Sequence, residues 1–277
     1  MKRIICVVND TVLENKGLLV EHGLCIWIET VHGVVLLDTG ETGDVLMHNL
    51  EALKLNPMDI QAVVISHSHI DHTGGLAALL QKNANMKVFA HPDIFRERFS
   101  RRKGKYESVG LPQGLAALSI DSRLSLSDQP MEVLPGIWTT GEIISRPEFE
   151  GRSANHFIRG DHDWLPDLYR DDMSLVIKTE RGLHLVCGCC HAGLLNTLLQ
   201  VRSVFGGPMI SVTGGMHLLT AGKPELDQVI RFCEEMPEIK FYPNHCTGND
   251  AVNMLADVFK DRVWPFHAGC EMIINEE

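Results

Sequence analysis

The stretch that decides the fold is Ala62-Val63-Val64-Ile65-Ser66-His67-Ser68-His69-Ile70-Asp71-His72-Thr73-Gly74-Gly75-Leu76. Residues 62–65 form a short apolar, β-branched run, the pattern of a fully buried strand. The run stops at Ser66. Three imidazoles and a carboxylate follow within six positions, at His67, His69, Asp71 and His72. Thr73-Gly74-Gly75 then opens a second apolar segment, 76–80, which reads as a helix. A loop between a buried strand and a helix is where a rigid scaffold aims several side chains at one point. His67 and His69 stand two apart, so in extended or turn-like backbone both rings project to the same side. Asp71 and His72 come after the chain has turned and face a second point nearby. Neutral imidazole and carboxylate suit borderline divalent metals, zinc first with manganese or iron as alternatives, one or two ions per chain. The plainer reading is a polar loop whose histidines cap a helix. It would suit one histidine better than three histidines and an aspartate.

The His-x-His-x-Asp-His segment resembles the signature of the metallo-β-lactamase superfamily. Six further motifs fall in the order of one branch, the dihydropteroate-synthase-like group, which includes an archaeal enzyme of methanopterin biosynthesis. They are Glu21-His22-Gly23-Leu24, Leu36-Leu37-Asp38-Thr39-Gly40, Thr73-Gly74-Gly75-Leu76, Gly188-Cys189-Cys190-His191, Gly214-Gly215-Met216-His217 and His245-Cys246-Thr247-Gly248. The resemblance spans nearly the whole chain and implies an α/β fold of the four-layer αββα type. It implies one domain, 1–277, with lid-like insertions near 95–130 and 145–171. It also implies that His67 and His69 hold one metal and Asp71 and His72 a second, with His191 and His245 as further ligands. Asp38 becomes a carboxylate that orients a metal-site histidine; read locally, it is equally an Asp forming a turn. The commoner superfamily pattern delivers a bridging Asp from the strand before Gly188, and none stands there in this chain. Either Cys189 or His191 takes that place, and the branch motif, which ends in a histidine, favours His191. His217 follows two glycines, and the resemblance suggests an acid, base or substrate contact. The bland alternative is a histidine packed at a strand end.

Composition sets the outer limits. The chain has 277 residues, 44% of them hydrophobic, enough for one large core. A net charge of −11 argues against a nucleic-acid groove or an anionic membrane surface as the main partner. No apolar run approaches a membrane span, and the N-terminal apolar run is too short for a signal peptide. The expected location is the cytoplasm. Eight cysteines show no compact spacing framework, so reduced thiols are the default.

Along the chain, residues 3–8, 24–29, 34–38, 86–90, 133–139, 174–179, 183–187, 210–213 and 239–242 read as strands. Residues 263–266 are expected to close the sheet. Helical stripes run over 43–55, from about 75, after His191, from Pro224 and up to Phe259. Ligand candidates recur at strand ends, where a layered α/β fold builds a site. Between 95 and 171 the pattern weakens. Arg96, Arg98, Arg101, Arg102, Lys103 and Lys105 make a basic run in an acidic protein. Such runs are usually solvated surface. Here it lies where a cover over the site could attach, so Arg101 and Arg102 are candidates for binding an anionic substrate.

The expected activity is metal-assisted hydrolysis of an ester or phosphoester of a small, anionic, phosphorylated metabolite, with Asp71 and His217 catalytic and Arg101, Arg102 and His217 touching substrate. The branch resemblance offers an alternative, a transferase joining a pterin-methyl diphosphate to an aromatic amine. An iron oxidoreductase of this fold usually carries Glu where this chain has His69. A non-catalytic metal-binding protein would be expected to have lost ligands that are complete here. Oligomeric state is not legible.

Overall fold

The apolar runs become the strands of two stacked sheets. The structure, a computed structural model, describes residues 2–14 and 16–275. The first sheet runs, edge to edge, Glu271–Ile274, Lys2–Val8, Cys25–Thr30, Gly33–Leu37, Ile60–Val64, Lys87–Ala90 and Leu124–Leu126. Its first four strands are antiparallel neighbours and the last four parallel ones. The second sheet runs Lys240–Asn244, Met209–Gly215, Gly182–Cys187, Ser174–Thr179, Ile137–Thr139 and Glu132–Leu134. Here the first three are parallel.

Three apolar clusters define four layers. Between the sheets, Ile4, Ile26, Val35 and Val64 meet Ile137, Leu175, Ile177 and Val186. On the outside of the first sheet, Leu46 and Leu50 of helix Gly43–Ala52 and Leu76 and Leu79 of helix Leu76–Lys82 cover Val34, Leu36 and Val63. On the outside of the second, helices Leu194–Phe205, Lys223–Glu234 and Asn249–Phe259 bury Leu198, Val229 and Leu255 against Leu185 and Val212. The strands between are buried on both faces, which is why they read as continuous apolar runs without alternation. This is the αββα sandwich.

Two expectations change. The segment 263–266 pairs only in part: Val263 bridges Phe241, and Trp264 N donates to Phe241 O and Phe266 N to Pro243 O, both at 2.9 Å, but Pro243 has no N–H to return a bond and no strand forms. Glu271–Ile274 closes the first sheet instead, antiparallel to Lys2–Val8. The run 133–139 splits into two short strands around Pro135-Gly136.

The weakly patterned insertions have structure of their own. Arg98–Arg102 and Lys105–Ser108 form one hairpin, His156–Arg159 and Trp164–Pro166 another, and they pair into a four-stranded sheet. Arg98, wholly buried, fastens it to the body. Its Nη1 donates to Ser68 Oγ at 2.6 Å and its Nη2 to Asp171 Oδ1 at 2.6 Å, while Nε lies 2.8 Å from Asp167 Oδ2. Ser68 stands between His67 and His69, so the small sheet is tied to the histidine loop itself. No helix among the described residues is long and apolar enough to cross a membrane.

Candidate metal centre

The parallel strands deliver the chemistry, as open α/β sheets do at strand carboxyl ends. Gly33–Leu37 leads into Asp38, Ile60–Val64 into the histidine loop, and Gly182–Cys187 into Cys189 and His191. Met209–Gly215 leads into His217 and Lys240–Asn244 into His245. Gly188 lets the two sheets meet here: a Cβ on it would fall 2.2 Å from Ser66 Oγ and 3.0 Å from Asp38 Oδ2.

Backbone strain concentrates at the same place. Among the described residues, eight non-glycine residues adopt positive φ, and five of them, Asp38, Tyr169, Cys190, His217 and His245, belong to or adjoin this cluster. Such conformations cost about 1–3 kcal/mol each and persist where surrounding structure holds them.

Asp38 organises the loop. Its Oδ1 accepts from Ser66 N at 2.7 Å; its Oδ2 accepts from Ser66 Oγ at 2.7 Å and from His72 Nδ1 at 2.7 Å. Because Ser66 Oγ gives its proton to Asp38, it accepts from His67 Nδ1 at 2.9 Å. His191 Nδ1 likewise donates to Gly151 O at 3.2 Å. Each bond fixes a tautomer and leaves the Nε2 lone pair pointing inward. Asp38 therefore does orient a histidine of the cluster, beyond forming a turn.

Two donor groups result. His67 packs against His69 and His191, with ring centroids 4.6 and 4.8 Å away. Tyr169 stacks on His191 at 3.9 Å and fixes its plane. Asp71, His72 and His245 form the second group: Asp71 Oδ2 lies 3.3 Å from His72 Nε2 and 3.4 Å from His245 Nε2. The bridging position, expected for His191, goes otherwise. The Cys189 thiol lies between the groups, within 4.8 Å of donors on His67 and His191 and of donors on His72 and His245. The His191 ring groups with His67 and Cys189 alone.

The groups differ electrostatically. Burial, helped by neighbouring rings, pushes His67 and His191 well below the usual histidine range, so they are neutral donors; burial does the same to His69. In the second group burial acts the same way but the carboxylates win. Asp71 and Asp38 hold His72 well above its ordinary value, and Asp10 and Asp71 raise His245 to about 9. Protons are attracted where a cation would sit.

A divalent ion fits these residues. Among the described residues, the buried His67, His69 and His191 Nε2 atoms have no hydrogen-bond partner, and neither does His217 Nδ1. Buried polar nitrogens are rarely left so. Converging neutral imidazoles with unused lone pairs are what a metal satisfies.

Comparison with known proteins agrees. The profile of the metallo-β-lactamase superfamily matches residues 18–152. A 7,8-dihydropterin-6-methyl-4-(β-D-ribofuranosyl)-aminobenzene-5′-phosphate synthase of Methanocaldococcus jannaschii is 30% identical, over 96% of this chain and 95% of that protein. The chain belongs to the metallo-β-lactamase superfamily. Its relative's activity matches the branch to which the motifs point. Among solved members, Tm1679, a metal-dependent hydrolase of the β-lactamase superfamily, superposes with a TM-score of 0.84 at 25% identity, covering 99% of this chain and 100% of that one. Zn²⁺-bound PqqB from Methylobacterium extorquens gives 0.56 at 12% identity over 98% of this chain and 100% of its own, a likeness of fold.

The remaining expected site residues of this superfamily member are placed as follows. His217 packs against His191, centroids 4.2 Å apart, and a ring nitrogen lies within 4.8 Å of the Cys189 and Cys246 thiols. His156, on the four-stranded sheet, reaches His69 at 5.0 Å. Arg98, Ser100 and Arg102 share its face, by register of His156 with Ser100. Arg101 is on the opposite face, over the Phe157 ring at 5.0 Å. The two arginines therefore form no joint cradle; only Arg102 faces the metal side.

Sequence reasoning gave no role to Asp10, His22, Cys246 or Tyr169, and placed Arg98 only within the basic run. Asp10 takes His22 Nδ1 and His245 Nδ1, both at 2.6 Å. One signal was available for His22. Gly23, at φ +149, has no room for a Cβ, which would fall 2.5 Å from Asp71 O. A glycine next to a histidine marks close backbone approach.

Proposed function

We propose that the chain is a metal-dependent enzyme cleaving an ester or phosphoester of a small, anionic, phosphorylated metabolite. His67, His69 and His191 hold one divalent ion, Asp71, His72 and His245 a second, and Cys189 stands between. The observation that carries this is the convergence of buried, unpartnered imidazole nitrogens beneath the four-stranded sheet. A divalent pair, when bound, supplies a water of near-neutral pKa and polarises a carbonyl or phosphoryl oxygen. The protein's own residues do the rest. Asp71 lies at the centre of the second group, where its carboxylate can orient the attacking water and take its proton. His217, with Nδ1 buried and unpartnered, is placed to give a proton to the leaving group. His156 and Arg102 form a wall whose charge suits an anionic substrate. The small sheet acts as a cover that excludes water. A cytoplasmic location goes with this reading, in which the Cys189 and Cys246 thiols, with sulfurs 3.4 Å apart, stay reduced.

The pterin-aminobenzene synthase of M. jannaschii favours a second reading, in which an aromatic amine replaces water as the acceptor. Zinc- or manganese-loaded protein decides between the two. It is assayed on phosphodiesters and esters, and separately on a dihydropterin-methyl diphosphate with 4-(β-D-ribofuranosyl)aminobenzene 5′-phosphate, and products are read by mass. Metal-dependent cleavage without amine supports hydrolysis, and a joined product supports transfer. Neither product, from protein carrying stoichiometric metal, overturns both. Arg102→Glu should raise KM for a phosphorylated substrate about fivefold, a charged contact discounted for exposure, with little effect from Arg101→Glu.

A further inference from the structure

Three rings, not two, face one oxygen of Asp71. His72 Nε2 and His245 Nε2 lie 3.3 and 3.4 Å from Asp71 Oδ2, and His22 Nε2 lies 3.5 Å from it. His72 gives its Nδ1 proton to Asp38, and Asp10 takes the Nδ1 protons of His22 and His245, one on each carboxylate oxygen. All three Nε2 atoms therefore face one carboxylate oxygen, an arrangement held together either by protons on the rings or by a cation that displaces them. Bonds of about 2.0–2.2 Å to nitrogen and oxygen give tetrahedral edges of roughly 3.3–3.5 Å. The spacings around Asp71 Oδ2 match those edges. Gly23 supplies the close approach that brings His22 there, and the His22 and His245 rings lie 5.0 Å apart on their shared Asp10.

We infer that His22 is a fourth protein ligand of the second metal, positioned by Asp10, which orients His245 with the same carboxylate. The second half of the centre then has four donors of its own, Asp71, His72, His245 and His22. The first half has three rings, His67, His69 and His191. Closed four-donor sites are structural and three-donor sites keep an open position, so the first half would be the one with a position left for water or substrate, beside the Asp71 carboxylate. The His22 side chain is 67% exposed, so ligation by it closes the second half at the mouth.

This rests on the metal reading above, and the test separates the two. Metal-free, full-length protein is titrated with Co²⁺ and with Zn²⁺ against a competing chelator, for wild type, His22→Ala and Asp10→Asn. Thermal denaturation of the metal-free forms checks folding. Wild type should bind two equivalents. His22→Ala should bind one of them 10–100-fold more weakly, with the other unchanged, and its Co²⁺ absorption should weaken as more than one water takes the place of the ring and the coordination number rises. Asp10→Asn should lower the same equivalent, since two rings lose their orientation. Unchanged affinity and unchanged Co²⁺ spectrum in His22→Ala would overturn the His22 assignment while leaving the metal reading standing. A wild-type chain that takes up neither ion would overturn both.

Discussion

The Cys189 thiol lies 3.3 Å from His72 Nε2, across 117 residues of chain. That contact joins the strand end of one sheet to the histidine loop of the other. It is the point at which the two donor groups touch.

It changes what Cys189→Ser should do. On motif reading alone, His191 bridges and Cys189 is dispensable for metal. With the thiol between the groups, Cys189→Ser should weaken zinc binding about 10–100-fold, comparable to losing a close support of a metal ligand. Cys189→Asp should recover much of it by supplying a carboxylate. Chelator competition at one fixed pH measures this, because ligand deprotonation links affinity to pH. Full affinity in Cys189→Ser would return the bridge to His191.

Metal should stabilise the fold. Zinc at 100 times its Kd contributes about 2.7 kcal/mol. For a chain of this size that raises Tm by roughly 5–10 °C. In the double variant His67→Ala, His69→Ala the shift should largely vanish. Scanning calorimetry with zinc and with chelator reads the difference, and an equal shift in both proteins would sink the assignment of these two rings.

Arg98 should matter more than any exposed arginine. It is wholly buried against Asp167 and Asp171, so Arg98→Ala strands two buried carboxylates. Breaking such a cluster by removing one partner costs about 3–5 kcal/mol. Arg101→Ala, on the outer face, should cost under about 1 kcal/mol. Urea denaturation of the metal-free proteins compares them, and equal losses would mean that the small sheet is not fastened through Arg98.

Stability should fall in mild acid for a reason away from the metal centre. His184 is 7% exposed with Nδ1 2.8 Å from Ser211 Oγ. Burial, added to by Lys2, Arg181 and Lys240, pushes its pKa down to about 4. The unfolded value is near 6.5. A base whose folded pKa is depressed contributes fully above its unfolded pKa, and that contribution is lost as pH falls towards the folded value. Between pH 7 and pH 5 the metal-free wild type should lose about 2 kcal/mol more than His184→Gln. Denaturant titrations at both values in chelator measure it, and parallel losses would show that His184 does not titrate with folding.

Local pattern was enough for part of this protein. The run 62–65, the abrupt change at Ser66 and the spacing of His67, His69, Asp71 and His72 are properties of one strand, one loop and one short helix, Ile70–Thr73. The layered fold was legible for the same reason: strands buried on both faces are continuous apolar runs, and helices covering them have apolar stripes. What sequence could not show is fixed by pairing between distant segments. Asp10 meets His22 and His245 because Lys2–Val8 pairs with Cys25–Thr30 in the first sheet and Lys240–Asn244 ends at the same edge of the second. The Cys189 thiol, and not the His191 ring, comes within 4.8 Å of donors in both groups, and Gly188 lets its strand end press on Ser66 and Asp38. Arg101 and Arg102 part company because neighbouring residues of a strand face opposite ways, and that strand was hidden in a segment without periodicity. The sequence determined which residue types were available and that a strand end would carry them. Only the register and order of the two sheets decided which lone pairs meet, because such contacts depend on ångström distances between segments with no relation along the chain.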